Sequence, residues 1–177
     1  MKLVLVRHTA VDVPRGVCYG KTDVPLSSTF KEEAEAVSLK LQKYSFDCVY
    51  TSPLSRCVRL ADYCGFPNAV RDTRLIEMDF GEWEMQRFDD ISDPRLKEWY
   101  ADYMNVAPTG GESSMSQRER LESFIQMLKS EINPYETVAA FTHGGILIHA
   151  FVCYCGKTYA EAFGMPLPYG SIIELNI

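Results

Sequence analysis

Leu3-Val4-Leu5-Val6-Arg7-His8 is the stretch whose reading decides the fold. Four apolar, β-prone residues run without polar alternation, the pattern of a central strand covered on both faces. A similar run at residues 137–141 ends on Thr142-His143-Gly144-Gly145. Shorter strands are expected at 47–51, near 69–71 and at 171–175. Amphipathic spacing predicts a helix over 28–44, with Phe30, Ala34, Val37, Leu41 and Tyr44 on one stripe. Ser52-Pro53 reads as an N-cap and first helical position, opening a helix that Gly65-Phe66-Pro67 stops near Cys64. Ser116-x-x-Glu119 resembles a capping box ahead of Leu121, Phe124, Ile125, Leu128 and Ile132. Another helix follows Gly145 to about Cys155. Residues 72–112 are less regular, with a helix expected over 94–104. Strands alternating with helices imply an α/β fold, a three-layer α/β/α sandwich with a mostly parallel central sheet.

The chain has 177 residues, a length that suits one domain over 1–177. At this size roughly 70% of the unfolded surface can be buried. Its 18 basic and 24 acidic residues give a net charge of −6. That sign disfavours nucleic acid and anionic membrane as partners, which need a positive footprint. It leaves open a small anionic substrate, because a few arginines in one pocket vanish in a sum. The opening apolar run is too short for a signal peptide or a membrane span, so a cytoplasmic protein is expected. Cysteines 18, 48, 57, 64, 153 and 155 form no C-x-x-C pair. Disulfides and zinc are therefore not expected, and most of these residues read as buried thiols.

Ligands of open α/β sheets bind at the carboxyl ends of the strands. Arg7 and His8 end the first strand, Arg56 falls in the first turn after the second, and His143 ends a later one. Two arginines and two histidines from distant parts of the chain thus share one edge. Guanidinium forks match phosphate oxygens. A helix N-terminus at Gly144-Gly145 adds N–H groups and a favourable dipole. There is no G-x-x-x-x-G-K-[ST] signature of a P-loop. No carboxylate cluster points clearly to a Mg²⁺ cage, although acids within 77–84 leave that open.

These residues bring the sequence to a known family. It resembles the histidine phosphatase superfamily, which includes the phosphoglycerate mutases. The resemblance lies in Leu3-Val4-Leu5-Val6-Arg7-His8, Thr51-Ser52-Pro53-Leu54-Ser55-Arg56, Leu75 to Glu84, Gly110-Gly111-Glu112-Ser113 and Thr142-His143-Gly144-Gly145, in the family's order. Cys18-Tyr19-Gly20-Lys21-Thr22-Asp23-Val24-Pro25-Leu26 looks most like the α-ribazole phosphatase branch. The resemblance implies His8 as nucleophile, Arg7, Arg56 and His143 as phosphate holders, and Glu77 as general acid. Thr9, Tyr19, Gly20, Lys21, Thr22 and Gly144 are implied as substrate contacts. It implies a small phosphate ester as substrate and neither cofactor nor metal. One departure stands out: Thr9 and Ala10 follow the histidine where the family usually has glycine and glutamate.

Alternatives stand beside each role. A lone strand-end histidine is ordinarily unremarkable; Arg7, Arg56 and His143 in matching contexts reverse that for His8. Asp79, Glu82 and Glu84 compete with Glu77, and like charge from Asp79 and Glu82 would favour its acid form. His149 reads as a satisfied core histidine. Trp83, Trp99 and Tyr100 belong either to the core or to a lid around 84–112. Glu112 and Ser113 could cap a helix or face the pocket. Lys21 and Arg15 are substrate contacts or solvated. A mutase, a broad sugar-phosphate phosphatase and an inactive phosphate-binding module are the competing functions. Mutases of this family are generally longer, which favours hydrolysis. The oligomeric state is not legible.

Overall fold

The computed structural model describes residues 1–133 and 136–177. Its sheet is built from β1 (Lys2–Arg7), β2 (Cys48–Thr51), β3 (Val70–Arg71), β4 (Thr137–Thr142) and β5 (Ile172–Asn176), in the order β3-β2-β4-β1-β5. Every pairing is parallel except β1 with β5. The architecture is thus an α/β sandwich around a mostly parallel sheet.

β1 explains the layering. Successive strand residues face opposite sides. Leu3 and Leu5 pack on one side with Val138, Ala140 and residues of two helices, α4 (Ser114–Glu131) and α5 (Gly144–Cys155). Val4 and Val6 pack on the other side with α1 (Phe30–Leu41) and α2 (Ser55–Tyr63). All four strand residues are fully buried. Each such side chain contributes about 1.5–3 kcal/mol of transfer free energy. A third, smaller cluster joins Cys18, Trp83 and Ile91 with Phe80, Phe88 and Trp99 beneath the irregular segment. That segment holds α3 (Arg95–Ala101), shorter than the expected 94–104; α6 (Tyr159–Gly164) precedes β5.

Two helix starts differ from the sequence reading. α2 begins at Ser55, not at Ser52-Pro53. Its end is satisfied from a distance, by Asp23, which accepts from the backbone N–H of Ser55 at 2.9 Å and from its hydroxyl at 2.8 Å. α4 is capped by Ser113, whose hydroxyl accepts from the N–H of Ser116 at 3.2 Å. Ser116 is therefore inside the helix, and Glu112 pairs with Arg120 at 2.6 Å. Among the cysteines only Cys18 and Cys57 are fully buried, and Cys155 is exposed. Among the described residues no helix is long and apolar enough to cross a membrane.

The sheet order positions the site. β1 and β4 are neighbours, with Arg7 opposite Thr142, so His8 and His143 leave the same edge side by side. β2 lies on the other side of β4, which brings Ser52 to the same level. β5 runs antiparallel, so its beginning meets the end of β1.

Candidate active site

His8 is 2% exposed, and its Nδ1 lies 2.7 Å from the carbonyl of Thr9. A carbonyl only accepts, so Nδ1 carries the proton and Nε2 keeps a free lone pair. Burial is the main force holding the imidazole neutral, and the charge of Arg56 adds to it. Together with Arg7 they bring the pKa down to about 3, against a smaller opposing effect from the Thr9 carbonyl. His143 stands edge-on to His8, ring centroids 5.1 Å apart. It is held well below the usual imidazole range by burial first, then by His8, Arg56 and Arg7. Its Nδ1 accepts from Arg56 Nε at 3.3 Å, which leaves Nε2–H to donate to the Ser52 hydroxyl at 2.8 Å. Ser52 is thus a site residue; reading it as a cap concealed its role.

Arg56 is completely buried, yet besides His143 the groups that hold it are backbone carbonyls: Thr22 at 2.9 Å and Gly20 at 2.5 Å. Arg7 donates to the carbonyl of Leu167, and its Nε is buried with no partner. Among the described residues no carboxylate forms an ion pair with either guanidinium. Arg56 is withdrawn from water and Arg7 is half-buried, and cations so placed without an anion are costly unless a ligand supplies one. The Thr9 hydroxyl, also buried and unpartnered, adds a donor nearby.

The carbonyls under Arg56 are themselves fixed by Glu84. Its carboxylate accepts from the backbone N–H groups of Gly20 (3.1 Å), Lys21 (2.9 Å), Thr22 (3.0 Å) and Phe80 (3.1 Å). Burial works against the ion, but the hydrogen bonds from Thr22, Phe80 and Gly20 outweigh it and hold the carboxyl below its ordinary value. Gly20 sits so close that a Cβ there would fall 1.8 Å from the carbonyl of Met78. Gly20 and Thr22 therefore act on the site through their carbonyls. Lys21 points elsewhere, into a 2.5 Å ion pair with Asp79, and lies outside the cavity.

Glu77 arrives from a short turn, Thr73–Leu75, pinned by the Thr142 hydroxyl to the Leu75 carbonyl at 2.8 Å. Its carboxylate accepts from Gln117 Nε2 at 2.7 Å and from the first turn of α5, Gly145 N–H, at 3.2 Å. Asp79 is turned onto Lys21 and the Gly81 N–H, so its charge is already matched. Gly145 has no room for a side chain: a Cβ would stand 2.4 Å from Glu77 Oε1. Gly144 lies under Arg7, with space for a Cβ only at 3.3 Å from the guanidinium.

Tyr169, which the sequence reading missed, covers this cradle. Its ring lies 4.5 Å from Arg7 Cζ and 5.5 Å from the His8 ring, and its hydroxyl is 2.8 Å from that of Tyr19. Its signal was the turn Pro168-Tyr169-Gly170-Ser171 just before an antiparallel strand. Beyond His8 and Glu77 opens a cavity of about 550 Å³, walled by Phe80, Phe88, Trp99, Tyr100, Tyr103 and Phe163. Trp99 and Tyr100 line it, whereas Trp83 is buried in the core. His149, expected in the core, also reaches this cavity.

A neutral histidine with a free lone pair, two unmatched guanidiniums and an adjacent carboxyl at the strand edge are the equipment of a phosphoryl-transfer enzyme. The model of the histidine phosphatase superfamily (branch 1) matches residues 3–177, and the chain belongs to that superfamily. It is 30% identical to the adenosylcobalamin/alpha-ribazole phosphatase of Escherichia coli over 156 residues, covering 83% of this chain and 75% of that one. It is 26% identical to phosphoserine phosphatase 1 of Hydrogenobacter thermophilus over 151 residues, 81% of this chain and 71% of the other. The crystal structure of the alpha-ribazole phosphatase from Shigella flexneri superimposes with a TM-score of 0.84 at 26% identity, covering 98% of this chain and 89% of that one.

Proposed function

We propose that the protein is a metal-independent phosphomonoesterase working through a phosphohistidine on His8, and that its substrate is α-ribazole 5′-phosphate. The observation that carries the reaction type is a buried guanidinium, Arg56, and a half-buried one, Arg7, neither with a carboxylate partner, beside a neutral His8. In this reading the lone pair of His8 Nε2 attacks phosphorus. Arg7 and Arg56 hold the equatorial oxygens, with the Thr9 hydroxyl as a further donor. His143 completes the cradle and fixes Arg56. As the bond to the leaving oxygen breaks, the Glu77 carboxyl gives it a proton. Glu77, now a carboxylate, takes a proton from water as that water attacks phosphorus; the P–N bond breaks and phosphate leaves. The fixed guanidiniums supply the charge stabilisation that a metal supplies elsewhere.

The cavity favours the larger substrate. Its aromatic walls suit a flat heteroaromatic leaving group. Phosphoserine would bring an ammonium and a carboxylate, and among the described residues the only Asp, Glu, Lys or Arg in the cavity wall are Arg7 and Glu77, both engaged at the reacting end. Phosphate release from α-ribazole 5′-phosphate, phosphoserine and 3-phosphoglycerate, measured in EDTA, tests both parts. The reading expects α-ribazole 5′-phosphate to give the highest kcat/KM and EDTA to have no effect. A strict metal requirement would remove the mechanism; a preference for phosphoserine would remove the substrate.

A further inference from the structure

The wall of the aromatic cavity carries a polar relay that the reaction does not use. His149 on α5 is 2% exposed. Its Nδ1 lies 3.0 Å from the hydroxyl of Tyr159 on α6, and its Nε2 lies 3.4 Å from the hydroxyl of Ser114 on α4. Burial keeps this imidazole neutral, with a pKa of about 4. A phenol is the better donor and an imidazole nitrogen the better acceptor, so Tyr159 donates to Nδ1. Nε2 then carries the proton and donates to Ser114 Oγ. Ser114 is the first residue of α4, where no preceding helical carbonyl can take its proton. Its O–H is left to donate, and Ser114 lines the cavity. The backbone N–H of Ser114 is fixed on the carbonyl of Tyr103, itself a wall residue, at 3.3 Å. Trp99, in the same wall, buries an indole N–H that has no partner. The cavity is thus apolar on its broad faces and carries the Ser114 O–H as a donor in its wall.

We propose that Ser114, oriented through His149 and Tyr159, donates a hydrogen bond to a ring acceptor on the leaving alcohol. The cavity then selects uncharged heteroaromatic alcohols bearing such an acceptor over isosteres that lack it. This rests on the preceding reading for the cavity's occupant, but its test does not depend on turnover. The probes are two dephosphorylated nucleosides of the same shape, 1-ribosylbenzimidazole, which has a ring nitrogen acceptor, and 1-ribosylindole, which does not. Their binding is measured by titration calorimetry. The wild-type protein is expected to bind the benzimidazole nucleoside about tenfold tighter, the scale of one neutral hydrogen bond. Ser114→Ala should bring that ratio to about one, chiefly by weakening the benzimidazole ligand. Tyr159→Phe, which leaves Ser114 in place but loosens the relay, should give an intermediate ratio. Equal affinities for the two nucleosides in the wild type, or full discrimination surviving in Ser114→Ala or Tyr159→Phe, would overturn the proposal. A protein that discriminates the nucleosides but hydrolyses no phosphate ester would refute the phosphatase reading alone.

Discussion

Gly145→Ala offers a test of the acid role given to Glu77 without altering any titratable group. The added Cβ would stand 2.4 Å from Glu77 Oε1 and 2.8 Å from Gln117 Oε1. Ordinary contacts need more than 3 Å, so the carboxyl must retreat by roughly 1 Å. That movement breaks the 3.2 Å bond from the Gly145 N–H and disturbs the 2.7 Å bond from Gln117. A misplacement of about 1 Å at a reacting group costs on the order of 100-fold in rate. The loss should depend on the leaving group. An alkoxide cannot leave without a proton, whereas p-nitrophenolate can. We expect kcat for an alkyl phosphate to fall about 100-fold, and kcat for p-nitrophenyl phosphate to fall less than about 5-fold. The assay is steady-state phosphate release from both esters, with circular dichroism to check the fold. Equal slowing of the two esters, or none of either, would refute the placement of the general acid at Glu77.

Other outcomes follow from the same structure. Leu5→Ala removes a fully buried side chain between two sheet neighbours, Ala140 and Ile173, and should cost about 2–5 kcal/mol in urea unfolding. Glu84→Gln should destabilise by about 1–3 kcal/mol at pH 7, because an ion that accepts four backbone N–H bonds is lost. The folded pKa of Glu84 is depressed, so its contribution is full above the unfolded carboxyl pKa and fades as pH falls through the folded one; the variant should therefore lose less stability than the wild type on acidification below about pH 4.5. His8, with a folded pKa near 3 against 6.5, is neutral when folded while the unfolded chain takes up a proton below pH 6.5. Stability should thus drop from pH 6.5 downward, less so in His8→Asn, and the ¹⁵N shifts of His8 should stay at the neutral values from pH 8 to 5.

What the sequence made legible was whatever a short run of residues encodes by itself. The unbroken apolar run of β1 announces a strand covered on both faces, and the strand ends place Arg7, His8 and His143 on one edge. The helix starts were misplaced because their caps are distant or competing: Asp23 serves Ser55 across a loop, and Ser113 wins over Ser116. Ser52 looked like a cap for the same reason, while its hydroxyl in fact meets His143. Lys21 looked like a substrate contact because basic residues in loops near phosphate sites invite that reading, yet Asp79 holds it outside. The turn holding Tyr169, Pro168 to Ser171, was legible, but its place over the cradle depends on β5 running antiparallel, a fact of pairing that no local pattern states. His149 reads locally as core, and it is buried; that it also faces a cavity depends on how three helices meet.

The most direct test of the account is to trap the intermediate. The protein is mixed with ³²P-labelled substrate in EDTA, quenched in alkali within milliseconds, digested and analysed by mass spectrometry. The account predicts an acid-labile, alkali-stable phosphoryl group on the imidazole of His8, formed and discharged at rates that match turnover and missing in His8→Ala. Turnover without any labelled histidine, or a label on another residue, would contradict it.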